Sequence, residues 1–227
     1  MPTPRPGLTP TAPLGYGDSM LRIGVTGLMA SGKSTVARRF EERGAVRIDG
    51  DALGWEALRT APVREAIAAA FGPGVLGTDG EVDRAALGGV VFADAAAMER
   101  LNAIVQPPLR ALVVRCLADV TDVPSRVAVL DAAMLTTWRL EPDLDGVVEV
   151  IAPEPLRIER LRASRGCSEA EAATRVRGQR LPPVRDARRH WRIQNDGDEA
   201  TLLASADRVW REIETVVESR ADSWDDR

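Results

Sequence analysis

The sequence predicts a parallel α/β fold. Three observations carry that reading: short continuous apolar runs, helical stretches between them, and a glycine-bearing turn directly after the first run. Leu21–Thr26 is the first β-rich run and leads through the turn into a helix over about Lys33–Arg43. Ala45–Ile48 reads as a second strand ending in Asp49-Gly50-Asp51, which places two acidic residues at a strand's C-terminal edge, where open α/β sheets bind ligands. From Pro62 to about Val120 the pattern is mainly helical. Pro62 opens Val63–Phe71, a glycine-rich turn covers Gly72–Gly80, and helices follow around Asp83–Phe92 and Asp94–Leu117. Val127–Leu130, closing on Asp131, and Gly146–Ile151 are continuously apolar, as central parallel strands are. Two arginine-rich helices are expected between Glu154 and Leu181, and an amphipathic helix from Glu199 to about Glu218 closes the domain.

The 227 residues, 44% hydrophobic and 28% charged, suffice for one large domain whose core needs no disulfide or metal staple. Cys116 and Cys167 therefore read as small buried hydrophobes in a reducing compartment. Residues 1–19 mix Pro, Thr and Gly like a disordered leader, without the apolar core of a signal peptide, and Met20 is a candidate alternative start. Residues 218–227 read as a flexible tail. No run of about 18 apolar residues occurs, so a soluble, cytoplasmic, monomeric protein without a membrane partner is expected.

A net charge of −4 excludes a generally basic nucleic-acid binder, yet the charge is uneven. Between Arg157 and Arg192 eleven arginines face four acidic residues, so this segment stands near +7 and the remainder near −11. Of the thirty basic residues, Lys33 alone is lysine. Arginine serves at most surface lysine positions but not where a compact ammonium must enter a tight anion nest.

That lysine sits in Gly27-Leu28-Met29-Ala30-Ser31-Gly32-Lys33-Ser34, followed by Thr35, which fits G-x-x-x-x-G-K-[ST] between a strand and a helix. Loop amides and the helix N-terminus would cradle phosphate oxygens, Lys33 would reach the β- and γ-phosphates of ATP, and the Ser34 hydroxyl would ligate Mg²⁺. Thr26, where the strand enters the loop, is a further candidate. The expected architecture is thus the three-layer P-loop NTPase fold, with a helical substrate-binding insertion at about 55–120 and an arginine-rich lid at about 155–185. Asp49 and Asp51, two apart on an extended segment, would project to the same side. One would hold Mg²⁺ through water and the other accept a proton from an attacking hydroxyl. Asp131 has the character of a Walker B carboxylate. Of Arg157, Arg160, Arg162 and Arg165, spread round a helix, one or two would act on transferring phosphate and the rest would be solvated. His190 has no partner that suggests catalysis and reads as surface or packing.

These residues resemble the dephospho-coenzyme A kinases of the P-loop kinase group over most of 20–217. Ile23–Gly27 with Ser34-Thr35 is similar to the family's opening, Ile48–Asp51 to its Ile-Asp-x-Asp signature, and Leu101–Pro107 to its "LnaivHP" run. The resemblance implies ATP-dependent phosphorylation of the ribose 3′-hydroxyl of dephospho-coenzyme A, the last step of coenzyme A biosynthesis, with Asp51 as base. It places Arg160, Gln179 and Asn195 among lid and adenine-side elements. The sequence also departs from the family: Gln106 replaces a histidine, Asp131–Thr137 replaces Asp-Val-Pro-Leu-Leu-Phe-Glu, and Arg189-His190 replaces Ala-Asp. The lid's Arg-Asp-Gly reads Ser164-Arg165-Gly166, so either Arg165 acts from a shifted position or Arg162 replaces it. A diverged kinase for another hydroxyl acceptor is the alternative, and a nucleotide switch binding nucleic acid through Arg157–Arg192 is a third reading.

Overall fold

The structure is a computed structural model describing residues 20–91, 94–120 and 126–225, with side chains described through residue 220. The leader expected over 1–19, Phe92 at the end of an expected helix, and residues 226–227 of the expected tail lie outside the described residues. Five strands, β1 (Leu21–Thr26), β2 (Val46–Asp49), β3 (Val127–Asp131), β4 (Gly146–Ile151) and β5 (His190–Gln194), form one sheet in the order β2-β3-β1-β4-β5. Every pairing is parallel, as the alternation of strands and helices requires.

The strand pleat sorts the two faces. Leu21, Ile23 and Val25 of β1 point to one side, where α1 (Lys33–Glu42) and α8 (Glu199–Asp225) pack. Phe40 of α1 meets Trp210 of α8 with ring centroids 5.4 Å apart, and Asp207 of α8 binds both Arg39 of α1 and Arg43, which caps its C-terminus. On the other side Ala128, Leu130 and Val147 meet α2 (Gly50–Arg59), α3 (Ala61–Phe71), α4 (Arg84–Val91) and α5 (Ala95–Asp119). Gly24 faces this second layer, and a Cβ there would lie 2.4 Å from Leu135 Cδ1. The lid helices α6 (Glu154–Arg165) and α7 (Glu169–Gly178) share a small apolar cluster of Leu161, Ala172 and Val176. Among the described residues no helix is long and apolar enough to cross a membrane.

Two expectations need correction. Asp49-Gly50-Asp51 is not an extended segment: the chain turns into α2 at Gly50, because Asp49 Oδ1 accepts from Ala52 N and caps the helix. Asp51 lies in the first helical turn, so the two carboxylates do not share a face by strand alternation. The closing helix also runs past Glu218 to Asp225, into the stretch read as a tail.

Candidate active site

Parallel strands end together at one edge of the sheet, and there the loop after β1 wraps toward α1. Gly32 precedes α1 with φ of +97°, a left-handed conformation that glycine adopts without strain. Space imposes the same choice, since a Cβ on Gly32 would stand 2.4 Å from Asn195 Nδ2. That amide donates to Ser31 O at 2.7 Å, fixing the loop from the β5–α8 connection. Arg160 of α6 donates to Asn195 Oδ1 at 3.1 Å and to Gly197 O at 3.0 Å, and Met29 N donates to Gln179 Oε1 beyond α7. Met29 and Ala30 also rest on the lid's apolar cluster. The loop Gly27–Ser34 is therefore clamped by the lid on one side and by the β5–α8 turn on the other.

Lys33 opens α1 at the centre of this edge. Its Nζ donates to Asp131 Oδ1 at 2.8 Å, lies 3.2 Å from Ser34 Oγ, and stands 3.8 Å from Asp51 Oδ2. Asp131 is 2% exposed and is held from its other oxygen by Arg47 Nη2 at 2.7 Å. Burial alone would push the Asp131 carboxyl up, but the hydrogen bonds and charges of Lys33 and Arg47 outweigh it and hold the group below its ordinary value. Asp51 is different. Burial pushes it above the ordinary carboxylate range, against the opposing pull of Lys33 and of the Ala133 amide, which donates to Asp51 Oδ1 at 3.3 Å. Two neighbouring carboxylates are thereby set apart: Asp131 stays an anion that positions Lys33, and Asp51 is a better proton acceptor.

The structure brings Lys33, Ser34, Asp51 and Asp131 together. Asp49 is Asp131's register partner on the adjacent strand, yet its exposed side chain is spent on capping α2. Thr26 Oγ1 donates to Ala133 O at 3.3 Å, tying β1 to the loop after β3. Arg162 pairs with Glu169 at 3.2 Å on the lid surface, and Arg165 is exposed in the last turn of α6. Arg157, expected among phosphate-facing or solvated arginines, is buried, with Nε on Ala152 O at 3.2 Å. Gln106 donates to Trp138 O at 2.6 Å, which makes it a brace between α5 and the segment after β3. His190 meets Glu149 at 3.1 Å at the edge strand. Sequence reasoning missed Arg47; its one signal was an arginine set between two apolar residues, Val46 and Ile48, in a short strand.

The donors around Lys33 are hard oxygens, Ser34 Oγ and the carboxylates of Asp51 and Asp131, which suit Mg²⁺ bound jointly with phosphate. Among the described residues no group of three His, Cys, Asp or Glu could grip a metal unaided. A sparse oxygen set of this kind matches a cation that keeps most of its water.

The family model for dephospho-CoA kinase matches residues 21–201, from the first residue of β1 into α8. The chain belongs to the dephospho-CoA kinase family. A dephospho-CoA kinase of Moorella thermoacetica is 41% identical over 197 residues, covering 86% of this chain and 93% of the relative. One of Thermobifida fusca is 37% identical over 202 residues, covering 88% and 100%. Among solved structures, TT1252 of Thermus thermophilus superposes with a TM-score of 0.67 at 30% identity, covering 85% of this chain and 97% of that one. The dephospho-CoA kinase of Campylobacter jejuni, 18% identical with a TM-score of 0.56, shares the fold over 86% of this chain and 97% of its own. A match of the dephospho-CoA kinase model across the phosphate loop, helical layer, lid and β5 identifies the chain as a phosphotransferase with an alcohol acceptor.

Proposed function

We propose that this chain transfers the γ-phosphoryl group of ATP to the ribose 3′-hydroxyl of dephospho-CoA. The observation that carries the reaction is Asp51 Oδ2 standing 3.8 Å from Lys33 Nζ, a proton acceptor beside a phosphate-handling ammonium. As the 3′-oxygen attacks the γ-phosphorus, Asp51 takes the hydroxyl proton, and the bond to the β-phosphate oxygen breaks to release ADP. Lys33 neutralises the charge on the phosphoryl oxygens, oriented by Asp131, which Arg47 braces from behind. Ser34 Oγ, with Asp131 through water, would hold Mg²⁺, whose charge offsets that of the β- and γ-phosphates, the expected metal role of Asp49 giving way to its cap on α2.

Loop amides from Gly27 to Thr35 would wrap the phosphates, and Asn195 would border the adenine. Arg165 is the lid arginine we assign to the transferring group once the lid closes, Arg162 being already committed to Glu169. We place the protein in the cytoplasm as a monomer, in keeping with a small-molecule substrate. ADP release from ATP and Mg²⁺, with and without dephospho-CoA, tests the whole reading. Acceptor-dependent release with a 3′-phosphorylated product supports it, and release indifferent to this acceptor reassigns the enzyme to another hydroxyl compound.

A further inference from the structure

Lys33 is fully engaged within the protein. Its ammonium carries three N–H donors, and three side-chain oxygens surround it: Asp131 Oδ1 at 2.8 Å, Ser34 Oγ at 3.2 Å and Asp51 Oδ2 at 3.8 Å. Contact with a triphosphate requires Nζ to leave at least one of them. The bond to Asp131 is the one that resists, because that carboxylate is 2% exposed and a buried anion deprived of its partner is strongly destabilising. The lysine therefore reaches phosphate only if another cation stays with Asp131.

Arg47 meets that need from the opposite side. It lies on β2 as the register partner of Val129, two residues before Asp131 on β3. Strand alternation puts Arg47, Val129 and Asp131 on one face of the sheet, the face that α1 covers. From there Arg47 Nη2 holds Asp131 Oδ2 at 2.7 Å, with Nε 3.3 Å from the same oxygen, and Oδ1 is left to Lys33. The two cations differ in their freedom to move. Arg47 is anchored on a strand, with the negative charges of Glu41 and Asp49 around its guanidinium, whereas Lys33 stands on a flexible four-carbon stem at the mouth of the phosphate loop. One oxygen of Asp131 keeps its cation while the other can lose its own.

We propose that Arg47 is the positioning residue that lets Lys33 exchange Asp131 for the phosphates of ATP, by keeping the buried carboxylate paired when the lysine departs. The Lys33–Asp131 pair then competes with nucleotide, and Arg47 weakens that competition. The role rests on the phosphate contact proposed for Lys33 and goes beyond it; the identity of the acceptor does not enter.

Calorimetric titration with ATP in EDTA tests this without acceptor, metal or turnover. Arg47→Met should weaken ATP about ten- to a hundredfold, the range of one hydrogen bond to a charged group, because Asp131 would then retain its sole remaining cation. Arg47→Lys, which returns a cation to the same place, should recover at least half of that loss on a logarithmic scale. Asp131→Asn removes the competitor, so it should bind metal-free ATP at least as tightly as wild type, and adding Arg47→Met to it should cost less than about threefold. If urea titration shows that Arg47→Met does not fold, Arg47→Gln takes its place, with a shift in the same direction. Equal weakening by Arg47→Met in both backgrounds overturns the proposal, since Arg47 would then act on the nucleotide directly through its charge. Unchanged ATP affinity with only kcat lowered overturns it too, and so does a loss of metal-free ATP affinity in Asp131→Asn alone. A wild-type protein that does not bind ATP defeats the phosphate role of Lys33 instead, and that result precedes any variant.

Discussion

Lys33 Nζ and Asp131 Oδ1 form a 2.8 Å ion pair at the mouth of the phosphate loop, one side chain 15% exposed and the other 2%. The pair explains why the chain's one lysine stands where it does. A guanidinium is wider, planar and already the choice for Asp131's second oxygen, through Arg47. Lys33→Ala should lower kcat by about 10²- to 10³-fold, the scale of a lost transition-state charge contact, and Lys33→Arg should not restore it. Steady-state rates of both variants check this; full activity in either would remove the phosphate role of Lys33.

Asp51 couples activity to stability with opposite signs. Its pKa is raised by burial, so the charged form destabilises the fold at neutral pH, and that cost is relieved as pH falls through the raised value. Asp51→Asn should therefore lower kcat by about 10²- to 10⁴-fold while its melting temperature at pH 7 stays level or rises. The acidic limb of the wild-type pH–rate profile should sit above the usual carboxylate range, because Asp51 must be deprotonated to accept the proton. A variant profile that keeps the same limb would assign it to another group.

Asp131 behaves in the reverse sense. Its folded pKa is depressed by Lys33 and Arg47 against the effect of burial, so its stabilising contribution is present above the unfolded value, about 3.9, and is lost as pH falls through the lower folded value. Asp131→Ala leaves two cations facing a buried gap and should cost about 3 kcal/mol, read as a lower urea midpoint at pH 7. As pH falls through the lowered folded value the difference from wild type should shrink.

Gly24 offers a control remote from the chemistry. Its missing Cβ makes room for Leu135 Cδ1 and Leu144 Cδ1, which would stand 2.4 and 2.7 Å from an added carbon. Gly24→Ala should destabilise by about 1–3 kcal/mol through overpacking, with the KM for ATP near wild type. A thermal melt paired with initial rates separates this purely structural cost from a site effect.

Asn195 is expected to do both. It is 4% exposed, donates to Ser31 O and accepts from Arg160. Asn195→Ala should cost about 1–3 kcal/mol and raise the KM for ATP, since the loop loses its brace and the lid its anchor. An unchanged ATP KM would confine Asn195 to stability.

Much of this molecule is legible in its residues. Continuous apolar runs such as Val127–Leu130 identify strands buried on both faces, and the motif ending in Lys33-Ser34 identifies the loop between β1 and α1. Asp49-Gly50-Asp51 was harder, because the same residues that favour a turn also cap a helix, and only the neighbouring layer decides between them. Lid arginines could be counted but not assigned: Arg157 turns inward, Arg160 reaches Asn195 and Arg162 stays on the surface, although all three share one helix. Arg47 was missed for a related reason. Its significance lies in what stands across from it, a buried carboxylate that is distant in sequence.

The bond from Asn195 to Ser31 spans most of the chain. β1 finds its neighbours only in β3 and β4, and the brace on its loop arrives with the residues after β5. During synthesis, which delivers the N-terminal part first, the phosphate loop emerges early but has nothing to hold it until the last quarter of the protein has left the ribosome. Nascent chains ending before Asn195 would carry the complete nucleotide motif without the brace that sets its shape, so tight ATP binding would arrive only after β5 has joined the sheet.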